Sequence, residues 1–199
     1  MSNKIGNSLK DSALFLKHAI KHPLQVGYIL PSSPWLIAEI AGAAELAGKK
    51  RIIELGPGTG GTTKGLLAAM DDDAELITVE INPKFIAHMN KTIDDKRLTI
   101  DDSGAQNLSE IISKRNWPYA DVIVSGIPFT TLPKGMDKDI MAAIHKTLKP
   151  GGLFLAYQLR DHVSGLAAPS FGEPSKQKVT YKNFPPMKIY TWRKGLNGK

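Results

Sequence analysis

Cysteine is absent from this 199-residue chain, which excludes disulfides, thiolate metal sites and a cysteine nucleophile. Long apolar runs are absent too: no segment approaches the length that crosses a bilayer. The N-terminus lacks the continuous apolar stretch and cleavage site of a signal peptide. Internal repeats and low-complexity segments are missing. A cytoplasmic protein without a metal site is therefore expected, with peripheral membrane contact left open. What is present, 42% hydrophobic and 23% charged residues, suits one compact domain with a sizeable core.

The net charge of +7 is unevenly placed. Residues 1–24 carry four Lys against one Asp, and residues 171–199 carry six Lys and one Arg against one Glu. The remainder is mildly acidic. Two basic ends on such a body suggest that the termini meet an anionic surface, either lipid headgroups or nucleic acid. Ser8 to His22 reads as an amphipathic helix. Ser8 and Asp11 form a capping box, and Pro23 stops continuation. Leu9, Ala13, Leu16 and Ile20 share one face; Lys10, Lys17 and Lys21 gather on the other. The domain organisation read here is a basic helix over 1–24, followed by a single domain over 25–199.

A second helix opens at "SSPW", with Ser33 as cap and Pro34 at the first helical position, and Gly48 follows its end. Strands and helices then alternate. "RIIEL", "ELITVE", "RLTID", "ADVIVSG" and "LFLAYQL" read as strands. Thr62–Met70, Pro83–Lys91, Leu108–Arg115 and Lys138–Leu148 read as helices, the last stopped by "KPGG". That alternation predicts an α/β fold, a mostly parallel sheet with helices on both faces. The tail, "KQKVTYKNFPPMKIYTWRK", is two strands divided by Asn183-Phe184-Pro185-Pro186, an antiparallel hairpin.

The turn "ELGPGTGG" fits two templates. Gly56, Gly58 and Gly61 spell a dinucleotide-binding turn; Glu54, Gly56, Gly58 and Gly60 spell that of a methyl donor. Glu54 decides against a pyrophosphate, which a carboxylate at the lip of the turn would repel, and it suits a cationic aminoacyl end. Pro57 stiffens the turn. Glu80, ending the second strand with Ile81 beside it, suits the two hydroxyls of a ribose. After the third strand, Asp102 and the backbone N–H of Ala105 are candidates for an adenine contact.

Together these residues resemble the class I S-adenosylmethionine-dependent methyltransferases, a Rossmann-like fold whose seventh strand is antiparallel. The resemblance runs from Arg51 to Arg193 and implies S-adenosyl-L-methionine as cofactor. "VIVSGIPF" ends the fourth strand, where that family places its acceptor. In enzymes that methylate amino groups of adenine or glutamine the loop reads Asn-x-Pro-Tyr or Asn-x-Pro-Phe; here Gly126 replaces the Asn. The missing amide weighs against a nucleic-acid acceptor. "HPLQVGYILPSS", "ELGPGTG", "SGIPF" and "NFPPMKIYTWRK" are similar to the soluble bacterial phospholipid N-methyltransferases of the PmtA type. The usual Gly-Asp-Ala after the third strand is replaced by "SGA".

That resemblance implies stepwise N-methylation of phosphatidylethanolamine towards phosphatidylcholine by a monomer held peripherally at an anionic membrane. Glu54, Gly56, Gly58 and Glu80 carry over as donor-binding residues. Ser125, Gly126, Ile127 and Pro128 would position the acceptor, the proline stiffening the loop so that a backbone carbonyl accepts from the amine. Gly126 would leave room for the headgroup. Tyr28, Ser125 or a water would accept the ammonium proton, and Tyr28 could hold the cationic product by cation–π contact. The competing readings are an rRNA adenine dimethyltransferase-like enzyme and a non-catalytic donor- or membrane-binding module.

Overall fold

The computed structural model describes residues 32–196. Tyr28, the Ser8–His22 helix and the boundary at residue 24 lie outside the described residues. The first described helix, α1 (Pro34–Ala43), starts as its sequence dictates: Ser33 Oγ accepts from the Leu36 N–H at 3.1 Å, and Pro34 needs no partner for a missing N–H. It ends at Ala43 rather than near Gly48, because Glu45 takes a left-handed φ of 51° and turns the chain.

Strands β1 (Arg51–Leu55), β2 (Glu75–Val79), β3 (Leu98–Asp101), β4 (Ala120–Ser125) and β5 (Leu148–Gln158) are mutually parallel. Helices α2 (Gly61–Ala69), α3 (Pro83–Thr92), α4 (Leu108–Lys114) and α5 (Met136–Thr147) connect them. The strands read as near-continuous apolar runs because helices cover both sheet faces. Ile52, Leu76, Val122 and Leu155 pack with α1 and α2 on one side. Ile53, Ile123, Phe154 and Trp192 pack with α4 and α5 on the other. There Phe154 stacks on Trp192 with ring centroids 5.1 Å apart.

The sheet has seven strands in the order β3-β2-β1-β4-β5-β7-β6. The expected hairpin, β6 (Lys176–Thr180) and β7 (Met187–Arg193), is present, but β7 inserts between β5 and β6 and is antiparallel to both. β6 therefore runs with β1–β5. As a result the 181–186 turn lies on the same sheet edge as the carboxyl ends of the parallel strands. Helix α6 (His162–Phe171) has no counterpart in the sequence reading, since Gly165 and Pro169 interrupt the pattern that would announce it.

"KPGG" does not separate helix from strand. Leu148 already pairs with Ala120, while the next partners are Val122 and Leu153, so residues 149–152 bulge opposite Asp121. Asp121 anchors the bulge. Its Oδ2 accepts from the N–H groups of Lys50 (3.0 Å) and Arg51 (2.9 Å), and its Oδ1 pairs with Lys149. Burial pushes the Asp121 carboxyl up, but Lys149 and the two N–H donors outweigh it and hold the group below its ordinary value. Asp121→Ala leaves those donors unpaired and should destabilise the domain by about 2–4 kcal/mol in urea unfolding. An unchanged midpoint would show that strand pairing alone holds the bulge.

Candidate functional site

The carboxyl ends of β1, β2 and β4 converge on the glycine turn. Gly58 has φ of 58°, and a Cβ there would meet nothing within 4 Å, so the backbone faces open space. Gly60, at φ 82°, has a different reason: a Cβ would come within 2.9 Å of Met89 and 2.8 Å of Ile93. Gly56 donates its N–H to Val79 O at 3.0 Å, tying the turn to the end of β2; Pro57 is buried beneath it.

Glu54 does not sit at the lip of the turn. It lies beneath it, fully buried. Its Oε2 accepts from Thr63 Oγ1 at 2.6 Å, while Oε1 has no partner among the described residues. Burial pushes the carboxyl up to about 8, Thr63 pulling down and the charge of Glu80 adding to the rise. With nothing cationic beside it among the described residues, the group is largely protonated at neutral pH. A cationic donor reaching Oε1 would satisfy the orphaned acceptor and ionise it.

Glu80 is nearly as buried. Oε2 accepts from the Gly58 N–H at 3.1 Å and Oε1 from the Asn82 N–H at 2.8 Å. It thus braces the turn and holds Asn82, the cap of α3, with lone pairs left for further donors. Burial raises its pKa and the backbone donors oppose the rise. Ile81 is half-buried beside it. After β3, Asp101 Oδ1 accepts from the Ser103 N–H at 2.9 Å. Asp102 is exposed, and Ala105 is buried at the start of a short 3-10 turn.

The loop after β4 corrects the expectation for Gly126 and narrows the choice of carbonyl. Gly126 leaves no room for a headgroup at its Cβ position. A Cβ there would overlap the Tyr157 hydroxyl and lie 2.6 Å from its Cζ. Nor are all loop carbonyls available: Ile127 O accepts from Gln158 Nε2 at 2.8 Å, and Pro128 O accepts from the N–H and Oγ1 of Thr131. The Gly126 carbonyl has no donor among the described residues. Ser125 is fully buried, and its Oγ accepts from the Ile127 N–H at 3.3 Å. That places it as a brace under the loop.

Thr62, Thr63, Tyr157 and Gln158 belong to the site and were missed from sequence. Tyr157 is buried beside Gly126, its hydroxyl 3.4 Å from Thr62 Oγ1. Burial, then the charges of Glu54 and Glu80, push its pKa up, so the phenol stays protonated. Gln158 reaches the acceptor loop from the end of β5, and its amide orientation is fixed because only the NH₂ group can bond Ile127 O. The available signals were a Thr pair directly after the glycine run and a Gln closing an apolar strand.

A seven-stranded sheet with one inserted antiparallel strand, a glycine turn over a buried acid and a second acid after β2 define a class I methyltransferase. The family model described as a methyltransferase domain matches residues 53–154, and the chain belongs to that family. An ornithine lipid N-methyltransferase of Singulisphaera acidiphila is 29% identical over 147 residues, 73% of this chain and 77% of the relative. A "probable dimethyladenosine transferase" of Dictyostelium discoideum is 28% identical over 115 residues, 56% of this chain; the match spans 34% of that relative. Among solved structures, the N-methyltransferase NodS of Bradyrhizobium japonicum in complex with S-adenosyl-L-homocysteine superposes with a TM-score of 0.68. It is 13% identical and covers 92% of this chain and 98% of that one. At that identity the likeness is one of fold.

The Gly126–Tyr157 contact is directly testable. Gly126→Ala should destabilise the protein by about 1–3 kcal/mol through overpacking. Adding Tyr157→Phe removes the nearest atom and should recover part of the loss in urea titrations. A Gly126→Ala variant as stable as wild type would show that the two strand ends do not meet this closely.

Proposed function

We propose that this enzyme transfers a methyl group from S-adenosyl-L-methionine to the amino headgroup of a membrane lipid, with phosphatidylethanolamine as acceptor. The observation that carries the reading is one shared sheet edge. Among the described residues the Glu54 oxygen under the turn after β1 has no partner, and the Gly126 carbonyl in the adjoining loop after β4 accepts from no donor.

The residues present fit the donor. Glu54 Oε1 is a buried acceptor without a partner among the described residues, suited to the cationic aminoacyl end. Glu80 retains lone pairs for the ribose hydroxyls, and Gly58 lets the backbone approach closely. Asp102 and Ala105 flank the place for the adenine. S-adenosyl-L-methionine supplies a methyl on a sulfonium, open to in-line displacement by a neutral amine. The chain's part is to align and deprotonate that amine. The Gly126 carbonyl accepts one N–H and so turns the nitrogen lone pair; Pro128 limits the loop's freedom to move. The ammonium proton leaves to Tyr28 or to water, since Ser125 is committed to the Ile127 N–H and Tyr157 holds its own proton.

Two features support a lipid over a nucleobase. Gly126 offers no side-chain amide, and the nearby Gln158 amide gives an N–H to Ile127 O. The loop therefore lacks the donor–acceptor pair that suits a planar exocyclic amine and leaves the Gly126 carbonyl as its acceptor. The ornithine lipid relative also acts on a lipid amine by its description. In this reading residues 1–24 hold the protein peripherally to an anionic membrane on its cytoplasmic side, the lysines facing headgroups. RNA methylation is the second reading, favoured by the dimethyladenosine transferase relative.

The assay is incubation with methyl-labelled donor and, in separate reactions, phosphatidylethanolamine, an ornithine lipid and unmodified RNA. Label should enter phosphatidylethanolamine. Label in the ornithine lipid alone would keep the lipid amine and change the headgroup. Label in RNA alone would overturn the reading.

A further inference from the structure

Three of the four most exposed large apolar side chains among the described residues gather at one corner: Trp35, Tyr181 and Phe184, at 58%, 80% and 85% exposure. Tyr181 and Phe184 stand in the β6–β7 turn, and Trp35 lies in the first turn of α1. The two segments are joined, for Ser33 N–H donates to Asn183 Oδ1 at 2.9 Å and Ser33 Oγ donates to Lys182 O at 2.8 Å. Asn183 also braces the turn from within, its Nδ2 donating to Pro185 O at 2.8 Å. The aromatics are thus held outward on a supported loop.

We propose that this corner is a membrane-docking rim, Trp35, Tyr181 and Phe184 entering the headgroup region of a bilayer. Three observations select that occupant. Trp and Tyr combine an apolar body with a polar tip, which suits the water–lipid boundary. Of the four Lys in residues 176–188, three pair with Glu45, Glu39 and Asp161. Lys182, exposed in the turn between Tyr181 and Phe184, has no ion pair among the described residues and suits an anionic headgroup beside an inserted aromatic. Above all, because β6 runs parallel to β1–β5, this turn projects from the edge that carries Glu54, Glu80 and the Gly126 loop. A bilayer against the rim presents its headgroups along the edge where the methyl is transferred. Placed on the opposite edge, the same aromatics would hold the site away from the lipid.

The rim gains its purpose from the lipid-acceptor reading on which it rests, but it is testable without it. Trp117 and Trp192 are buried, so a change in tryptophan emission on adding vesicles reports chiefly on Trp35. The full chain is titrated with phosphatidylethanolamine–phosphatidylglycerol vesicles, with and without brominated acyl chains. Brominated lipid should quench and blue-shift the wild-type emission. A Tyr181→Ser/Phe184→Ser double variant should partition at least about tenfold more weakly, with thermal unfolding and S-adenosyl-L-methionine affinity unchanged. Unquenched emission from vesicle-bound protein, equal partitioning of the double variant, or quenching by single-stranded RNA without any by vesicles would each overturn the rim. Loss of docking in the variant, with no lipid methylated by wild type, would support the rim and refute the acceptor. Methylation of detergent-dispersed lipid with variant-independent vesicle binding would do the reverse.

Discussion

Glu54 ends β1 with its carboxyl fully buried, one oxygen held by Thr63 and the other by nothing among the described residues. An unpaired buried acceptor costs about 1–3 kcal/mol, and the surrounding structure is arranged so that the cost persists. The central strands are sealed on both faces, so water does not reach the group from the side. The glycine turn lies above it, and Glu80 locks that turn by accepting the Gly58 N–H. Tyr157 closes the flank towards β4, so tightly that residue 126 has no room for a side chain. What results is a buried site under the glycine turn in which the most favourable missing partner is a cation.

Much of this was legible beforehand because it is written locally. Strand-helix alternation, the Ser33-Pro34 helix start and the glycine spacing each depend on a few adjacent residues, and the structure keeps all three. Properties set by distant neighbours were not legible. Glu54 in "RIIEL" reads as a polar residue beside a turn; only the packing of α1 and α2 over that face buries it and raises its pKa. Gly126 reads as space, and the fold fills the space with Tyr157 from β5. Gln158 is silent in sequence until β5 lies beside β4. The missed helix α6 shows the opposite weakness: Gly165 and Pro169 are local breakers that tertiary packing overrides, Val163 and Ala167 being fully buried.

The position of β7 connects chemistry to surroundings. A simple hairpin appended after β5 could place its turn at either edge. Insertion of an antiparallel β7 fixes β6 parallel to the rest and its turn at the catalytic edge. Ion pairs of Lys178 with Glu39, and of Lys176 and Arg193 with Glu45, tie the hairpin to α1 and its C-terminal turn. The aromatic corner and the glycine turn over Glu54 therefore lie at one edge, as the proposed lipid substrate requires.

Protonation of Glu54 is measurable as protons exchanged on ligand binding. Without ligand the carboxyl sits at about 8 and is largely protonated at neutral pH. A cationic aminoacyl group beside Oε1 lowers that value, so binding must release a proton, and affinity must fall as pH drops below about 8. Titration calorimetry of S-adenosyl-L-methionine at neutral pH, in buffers of different ionisation enthalpy, reads the number directly. Wild type should release up to about one proton, and Glu54→Gln should lose that release and its pH dependence. Binding without proton release in wild type, or equal release in the variant, would contradict the assignment of Glu54 to the donor.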